Sequence, residues 1–170
     1  SFLSGGLAGH IYGAQGLWGG DIEPEASPRM WESLQWRSGD QLRYLGTFAL
    51  SEGARYRDLA PDSDLVYPQR TVEVLGNSGW AYCARTPDRT LFTLYFERGL
   101  AGFGGLNNPR RAGIRGALRT GRYRATWFDP RTGAWHDAGT LASDESCLLP
   151  WPEFPDEEDW ALKLVAVDAP

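Results

Sequence analysis

The sequence predicts a mixed chain: a helical, glycine-rich stretch up to about residue 70, followed by an antiparallel β-sandwich. Three observations carry this expectation. Ahead of residue 70, apolar side chains recur at helical spacing, as in Leu42, Leu45 and Ala49. Beyond it, short apolar or alternating runs are separated by proline and glycine turns. A hydrophobic fraction of 42%, with 8 Trp, 7 Tyr and 7 Phe, supplies the apolar surface that a disordered chain lacks.

At the amino end, Phe2, Leu3, Leu7 and Ala8 flank Ser4-Gly5-Gly6. This pattern fits a buried parallel strand followed by a loop, and equally a compact glycine-rich turn. Gly9, Gly13, Gly16, Gly19 and Gly20 then give the backbone unusual freedom, with His10, Tyr12, Gln15 and Trp18 displayed between them. Such a segment suits a ligand-binding loop, or a structural loop whose aromatics only pack. Ser27-Pro28 predicts a helix start carrying Met30, Trp31 and Leu34. A second helix is expected after Ser38-Gly39-Asp40, with Leu42, Leu45 and Ala49 on one face, Tyr44 and Phe48 beside it, and Gly53 as its stop. Its stripe reads as core packing, not as a cofactor site. Residues 56–66 read as an irregular connector.

Strands are expected at Thr71–Val74, Trp80–Ala84 and Leu91–Phe96, the last buried on both faces. Thr86–Arg89 forms a turn between the second and third, and 99–108 forms a glycine-rich loop. Tyr123–Trp127 alternates apolar and polar residues, as a strand with one wet face does. Asp129–Gly133 is then a hairpin loop, Trp135 begins the returning strand, and Trp160–Val167 is a final strand.

A net charge of −5 and a pI near 5.0 disfavour nucleic-acid binding, which needs an electropositive face. No apolar run reaches the roughly 18 residues of a membrane span. The 170 residues suit one ordinary domain and fall short of the roughly 250 of a complete (β/α)₈ barrel. Ser1, with no initiator methionine before it, reads as an internal residue of a longer polypeptide. Cys83 and Cys147 fit one disulfide or two buried thiols. His10 and His136 are too few for a zinc site, and no nucleophile elbow, phosphate loop or dinucleotide fingerprint is present. No metal and no cofactor is therefore expected.

Three charged clusters remain. Arg110, Arg111, Arg115, Arg119, Arg122 and Arg124 suit an anionic polysaccharide, and more simply a solvated strand face. Glu153, Asp156, Glu157, Glu158 and Asp159 lack the glycine turn of a calcium loop and read as a solvated loop. Asp21, Glu23 and Glu25 stand beside aromatics, the mixture that sugar recognition uses, or form a wet loop before a helix. Glycoside hydrolysis needs paired carboxyls at set separations, which spacing in sequence does not show.

The segment Gly9-His10-Ile11-Tyr12-Gly13-Ala14-Gln15-Gly16-Leu17-Trp18 resembles one in the apiosidase-like glycoside hydrolases, where it follows the last barrel strand. Trp31-Glu32-Ser33-Leu34, the 42–50 helix and Leu59-Ala60-Pro61-Asp62 resemble the same family downstream. Residues 82–96 and 123–133 resemble its β-sandwich, a module whose label names collagen binding. The resemblance spans nearly the whole chain. It implies the C-terminal strand and helices of a (β/α)₈ barrel over 1–66, followed by an accessory sandwich over 67–170.

By that resemblance the chain is the C-terminal part of a bacterial, periplasmic or extracellular enzyme. The enzyme would hydrolyse glycosidic bonds in plant or microbial polysaccharide side chains. His10, Tyr12, Gln15 and Trp18 would form one wall of the sugar pocket. Ile11 stands where threonine is common, and Gln15 at a position that varies. No catalytic residue carries over, because the acid/base and nucleophile sit on earlier strands. The implied partners are a carbohydrate substrate and the rest of the barrel, supplied by preceding sequence, a second chain or a swapped copy. Two alternatives stand beside this reading. One is a non-catalytic module binding carbohydrate or protein through Trp80, Trp127, Trp135 or Trp151. The other is a sandwich that only braces a barrel.

Overall fold

The computed structural model describes residues 3, 14–20, 22–25, 27–67, 81–98 and 112–167. Among the described residues three α-helices come first: α1 (Gln15–Gly19), α2 (Met30–Ser33) and α3 (Arg37–Ala49). Nine strands follow among the described residues: β1 (Ala60–Pro61), β2 (Val66–Tyr67), β3 (Ala81–Arg85), β4 (Leu91–Phe96), β5 (Gly113–Ile114), β6 (Arg122–Phe128), β7 (Trp135–Ala142), β8 (Leu149–Pro150) and β9 (Trp160–Ala166). They form a six-stranded sheet in the order β1-β3-β4-β9-β6-β7 and a three-stranded sheet in the order β2-β5-β8. Every pairing is antiparallel.

The period of two along each strand decides which side chains share the main core. Cys83 of β3, Phe92, Leu94 and Phe96 of β4, Tyr123, Ala125 and Trp127 of β6, and Trp160, Leu162 and Leu164 of β9 lie on one face of the large sheet. They pack on Val66, Ile114 and Leu149, one residue from each strand of the small sheet. Tyr123 carries its polar tip into this core with its bonds made, whereas Trp151 Nε1, packed against the same core, has no partner among the described residues. The Tyr123 hydroxyl accepts from Leu118 N–H at 2.9 Å and donates to the Arg89 carbonyl at 2.8 Å.

The second face of the large sheet mixes apolar residues such as Phe128, Ala161 and Val165 with polar ones such as Arg124, Thr126 and Lys163, and helix α3 covers part of it. Phe48, Phe128 and Ala161 form a separate cluster with Tyr44, Tyr95 and Trp135 against it. The Phe48 ring lies 5.4 Å from Phe128 and 5.9 Å from Trp135. Gln41 Nε2 donates to the Arg131 carbonyl at 3.2 Å. Past the end of α3, Lys163 Nζ of β9 binds Glu52 at 2.7 Å and Ser51 Oγ at 3.2 Å, and lies 4.5 Å from the Trp135 ring centroid. The docked positions 41, 44, 48 and 51–52 are one helical stripe and its continuation. A further cluster of Leu3, Leu59, Ala84 and Leu91 covers the β1-β3-β4 side of this second face.

The strand expectations hold where they fall on described residues. Strand β3 begins at Ala81, β4 is buried on both faces as anticipated, and the Thr86–Arg89 turn closes with Arg89 N–H on the Thr86 carbonyl. The 129–133 hairpin ends on Gly133 at φ +78°, where Tyr44 leaves no room for a β-carbon. The expected strand at 71–74 and the loop at 99–108 lie outside the described residues.

The helix starts need correction. Helix α2 begins at Met30 with Arg29 as its cap, closed by Arg29 N–H on the Glu32 carboxylate at 2.9 Å, so Ser27-Pro28 lies ahead of it. Helix α3 begins at Arg37 and includes Ser38-Gly39-Asp40, because tertiary docking outweighs the weak propensity of those residues. Its docking stripe runs through Tyr44 and Phe48, while Leu42 and Leu45 face a cleft. Cys83 and Cys147 are both free thiols, and Cys83 sits in the core, where burial pushes its pKa well up.

Phe48→Ala should cost about 3–5 kcal/mol, the usual range for deleting a buried aromatic. Urea unfolding would show this, and a loss below about 1 kcal/mol would mean that α3 is not held by that ring.

Candidate functional site

Of the four candidate sugar-facing residues, Gln15 and Trp18 lie on α1, while His10 and Tyr12 fall outside the described residues. Gln15 and Trp18 are three apart on a helix and therefore share a face. Both are exposed, and Trp18 keeps 80% of its surface open. The helix is only five residues long and has no side-chain cap at its start. It ends at Gly20 in the left-handed conformation, whose N–H returns to the Gly16 and Leu17 carbonyls.

Other apolar side chains of the 18–50 segment are open as well. Ile22, Trp31, Leu34, Trp36 and Leu50 are exposed, and Val167 is the one large apolar residue so exposed outside the 18–50 region among the described residues. Glu23 and Glu25 are exposed on the turn that follows α1, and Asp21 lies outside the described residues. The 18–50 segment thus exposes both rings and carboxylates.

A separate cleft of about 440 Å³ opens between α3 and the second face of the large sheet. Leu42 and Leu45 line one side; Leu3, Tyr82, Tyr95 and Glu97 line the other. Tyr82 and Tyr95 stand directly opposite in the β3–β4 register, and the Tyr82 hydroxyl donates to Glu97 Oε1 at 3.1 Å. Burial, reinforced by the Asp159 charge, pushes the Tyr95 phenol up. Neither Gln15 nor Trp18 lines this cleft. Sequence reasoning missed it, although one signal was present: Tyr82 and Tyr95 have the opposite parity to Cys83 and Leu94, and so had to face a second layer.

The charged clusters resolve differently. Arg122 and Arg124 are exposed on β6, Arg119 pairs with Glu145, and Arg115 stacks 3.9 Å over the Tyr67 ring centroid. Arg110 and Arg111 lie outside the described residues. The acidic run at 153–159 is not simply a solvated loop. Asp156 accepts from Trp160 Nε1 at 2.6 Å and from Arg131 Nη2 at 3.1 Å, Asp159 accepts from Arg98 N–H at 2.7 Å, and the Glu153 carbonyl accepts from Trp127 Nε1 at 3.1 Å. Among the described residues no group of three or more His, Cys, Asp or Glu is placed to hold a metal ion, and no helix is long and apolar enough to cross a membrane.

No family model and no curated protein matches the chain. Its fold is similar to that of a solved structure titled "Glycoside hydrolase", with a TM-score of 0.57 and 14% identity over 86% of this chain and 30% of that one. It is similar also to a glycoside hydrolase family 5 structure from Bacteroides vulgatus, with a TM-score of 0.52 and 14% identity over 82% of this chain and 26% of that one. The chain therefore spans less than a third of the length of either. At this identity the likeness is one of fold.

The hairpin that borders the cleft is held by carboxylates. Asp129 accepts from the Arg131 side chain and backbone, each at 2.8 Å, and Arg131 reaches on to Asp156. Burial alone would raise the Asp129 and Asp156 carboxyls, but the Arg131 bonds, with those of Thr132, Trp160 and Glu158, outweigh it and hold both below the usual range. A depressed carboxyl stabilises the fold above its unfolded pKa of about 3.9, and that stabilisation is lost as pH falls through the folded value. The urea midpoints of the wild type and Arg131→Gln should therefore differ near about pH 7 and converge towards about pH 2. A difference that is constant with pH would show that the arginine acts by packing alone.

Proposed function

We propose that this chain is the C-terminal part of a glycoside hydrolase acting on plant or microbial polysaccharide side chains, as the resemblance to the apiosidase-like family implies. Residues 1–66 supply the closing strand and helices of a (β/α)₈ barrel and end in β1 and Val66, which join the sandwich sheets, and residues 67–170 form the rest of that accessory sandwich. The α1 region contributes one wall of the sugar pocket, and the paired carboxyls that cleave the bond belong to the rest of the barrel. The fold likeness to two glycoside hydrolases supports this reading.

The observation that carries it is the Trp18 indole. A ring of that size gains much by burial, yet it stands 80% open on the same helix face as Gln15. An exposed ring face is what a sugar stacks on, and neighbouring amides and carboxylates take its hydroxyls. The open residues Trp31, Leu34 and Trp36 supply the apolar surface that the remaining barrel would cover. His10 and Tyr12 belong to the same wall by their place in the segment. The enzyme is periplasmic or extracellular on this reading.

The alternative, a binding module that uses sandwich aromatics, has less support. Trp127 is buried, and Trp135 and Trp151 are half-buried with their rings against Phe128 and Phe96. Trp80 lies outside the described residues.

In the enzyme that contains this chain, Trp18→Ala should lower kcat/KM on the polysaccharide by tenfold or more, about 1.4 kcal/mol of transition-state binding. The circular dichroism should not change, and unaltered kinetics would reject the role.

A further inference from the structure

We infer that Gly16 and Ser33 are positioning residues for Trp18, forming a joint between α1 and α2 that sets where the exposed ring stands. The inference rests on the sugar-facing reading of Trp18 and deepens it.

With 80% of its surface open, Trp18 gains little orientation from contacts of its own ring. Its place must come from the backbone of α1. A five-residue helix is far below the roughly 12–15 residues at which an isolated helix becomes even marginally stable, so α1 has to be held from outside. The hold is at Gly16. This residue is buried, and its N–H donates to Ser33 Oγ at 3.2 Å. A β-carbon there would come within 2.6 Å of Ser33 Oγ, 2.7 Å of the Pro28 carbonyl oxygen and 2.8 Å of the Arg29 carbonyl oxygen. No side chain fits in that gap; glycine is needed for close approach, not for an unusual φ.

The other half of the joint is itself fixed. Ser33 is 2% exposed. The Arg29 carbonyl accepts from the Glu32 and Ser33 N–H groups, each at 3.1 Å, and the Arg29 guanidinium donates to the Pro24 carbonyl at 2.6 Å. The first turn of α2 is thus a rigid seat. Helical geometry then does the pointing. Two residues at about 100° each place Trp18 roughly opposite Gly16, so seating Gly16 on α2 turns the indole away from α2 and outward. Gln15, on the same face as Trp18, is turned outward with it.

The test uses the protein labelled with 5-fluorotryptophan, with the Trp18 fluorine line assigned by its loss in Trp18→Phe. Gly16→Ala should displace that line, and Ser33→Ala should displace it less. The double variant should resemble Gly16→Ala, because the Pro28 and Arg29 carbonyls still block the added methyl. In the enzyme, Gly16→Ala should lose about tenfold in kcat/KM, and less than twofold when Trp18→Ala is already present. A Trp18 line unmoved in both single variants, or full additivity of the two kinetic losses, would overturn the inference. Should Gly16→Ala fail to fold, Ser33→Ala decides by the same line. If Trp18→Ala leaves turnover unchanged, the sugar reading fails, and the fluorine line still decides whether the joint positions the ring.

Discussion

Strand β4 carries buried side chains on both of its faces, and that obliges the chain to build a layer on each side of the six-stranded sheet. On one side the layer is the small sheet, which gives Val66, Ile114 and Leu149 to the common core. On the other it is α3, set down through Phe48 on Phe128 and Trp135. The cleft beside α3 follows from the same constraint. One helix is narrower than six strands, so its second apolar stripe and the Tyr82–Tyr95 pair face each other across a gap.

The tryptophans divide along the same lines. Trp127 and Trp160 are buried and give their N–H groups to the acidic run, so that Glu153 and Asp156 anchor a loop instead of only solvating it. Trp18, Trp31 and Trp36 stand open on the helical region. A chain with 8 indoles thus buries some in its core and leaves others open on its helical region.

The strands were legible because their periodicity is local: Tyr123–Trp127 alternates, Leu91–Phe96 does not, and each pattern states how many faces are covered. Helix starts were less legible. Ser27-Pro28 has the chemistry of a cap, yet α2 is closed further on, by Arg29 N–H on the Glu32 carboxylate. Strand order was not legible at all, since β9 enters between β4 and β6 through contacts distant in sequence. At the candidate site, Trp18 could be singled out by residue type. The meaning of Gly16 could not. In the sequence it is one more flexible position among many glycines, whereas in the fold it is a contact surface with fixed neighbours on three sides.

The placement of β9 has a kinetic side. It follows the other eight described strands and yet lies inside the larger sheet, bonded to β4 on one edge and β6 on the other. While the polypeptide emerges from the ribosome, the β4 and β6 edges have no β9 to pair with until residues 160–166 arrive. Completion of the six-stranded sheet is therefore a late step, made through contacts distant in sequence.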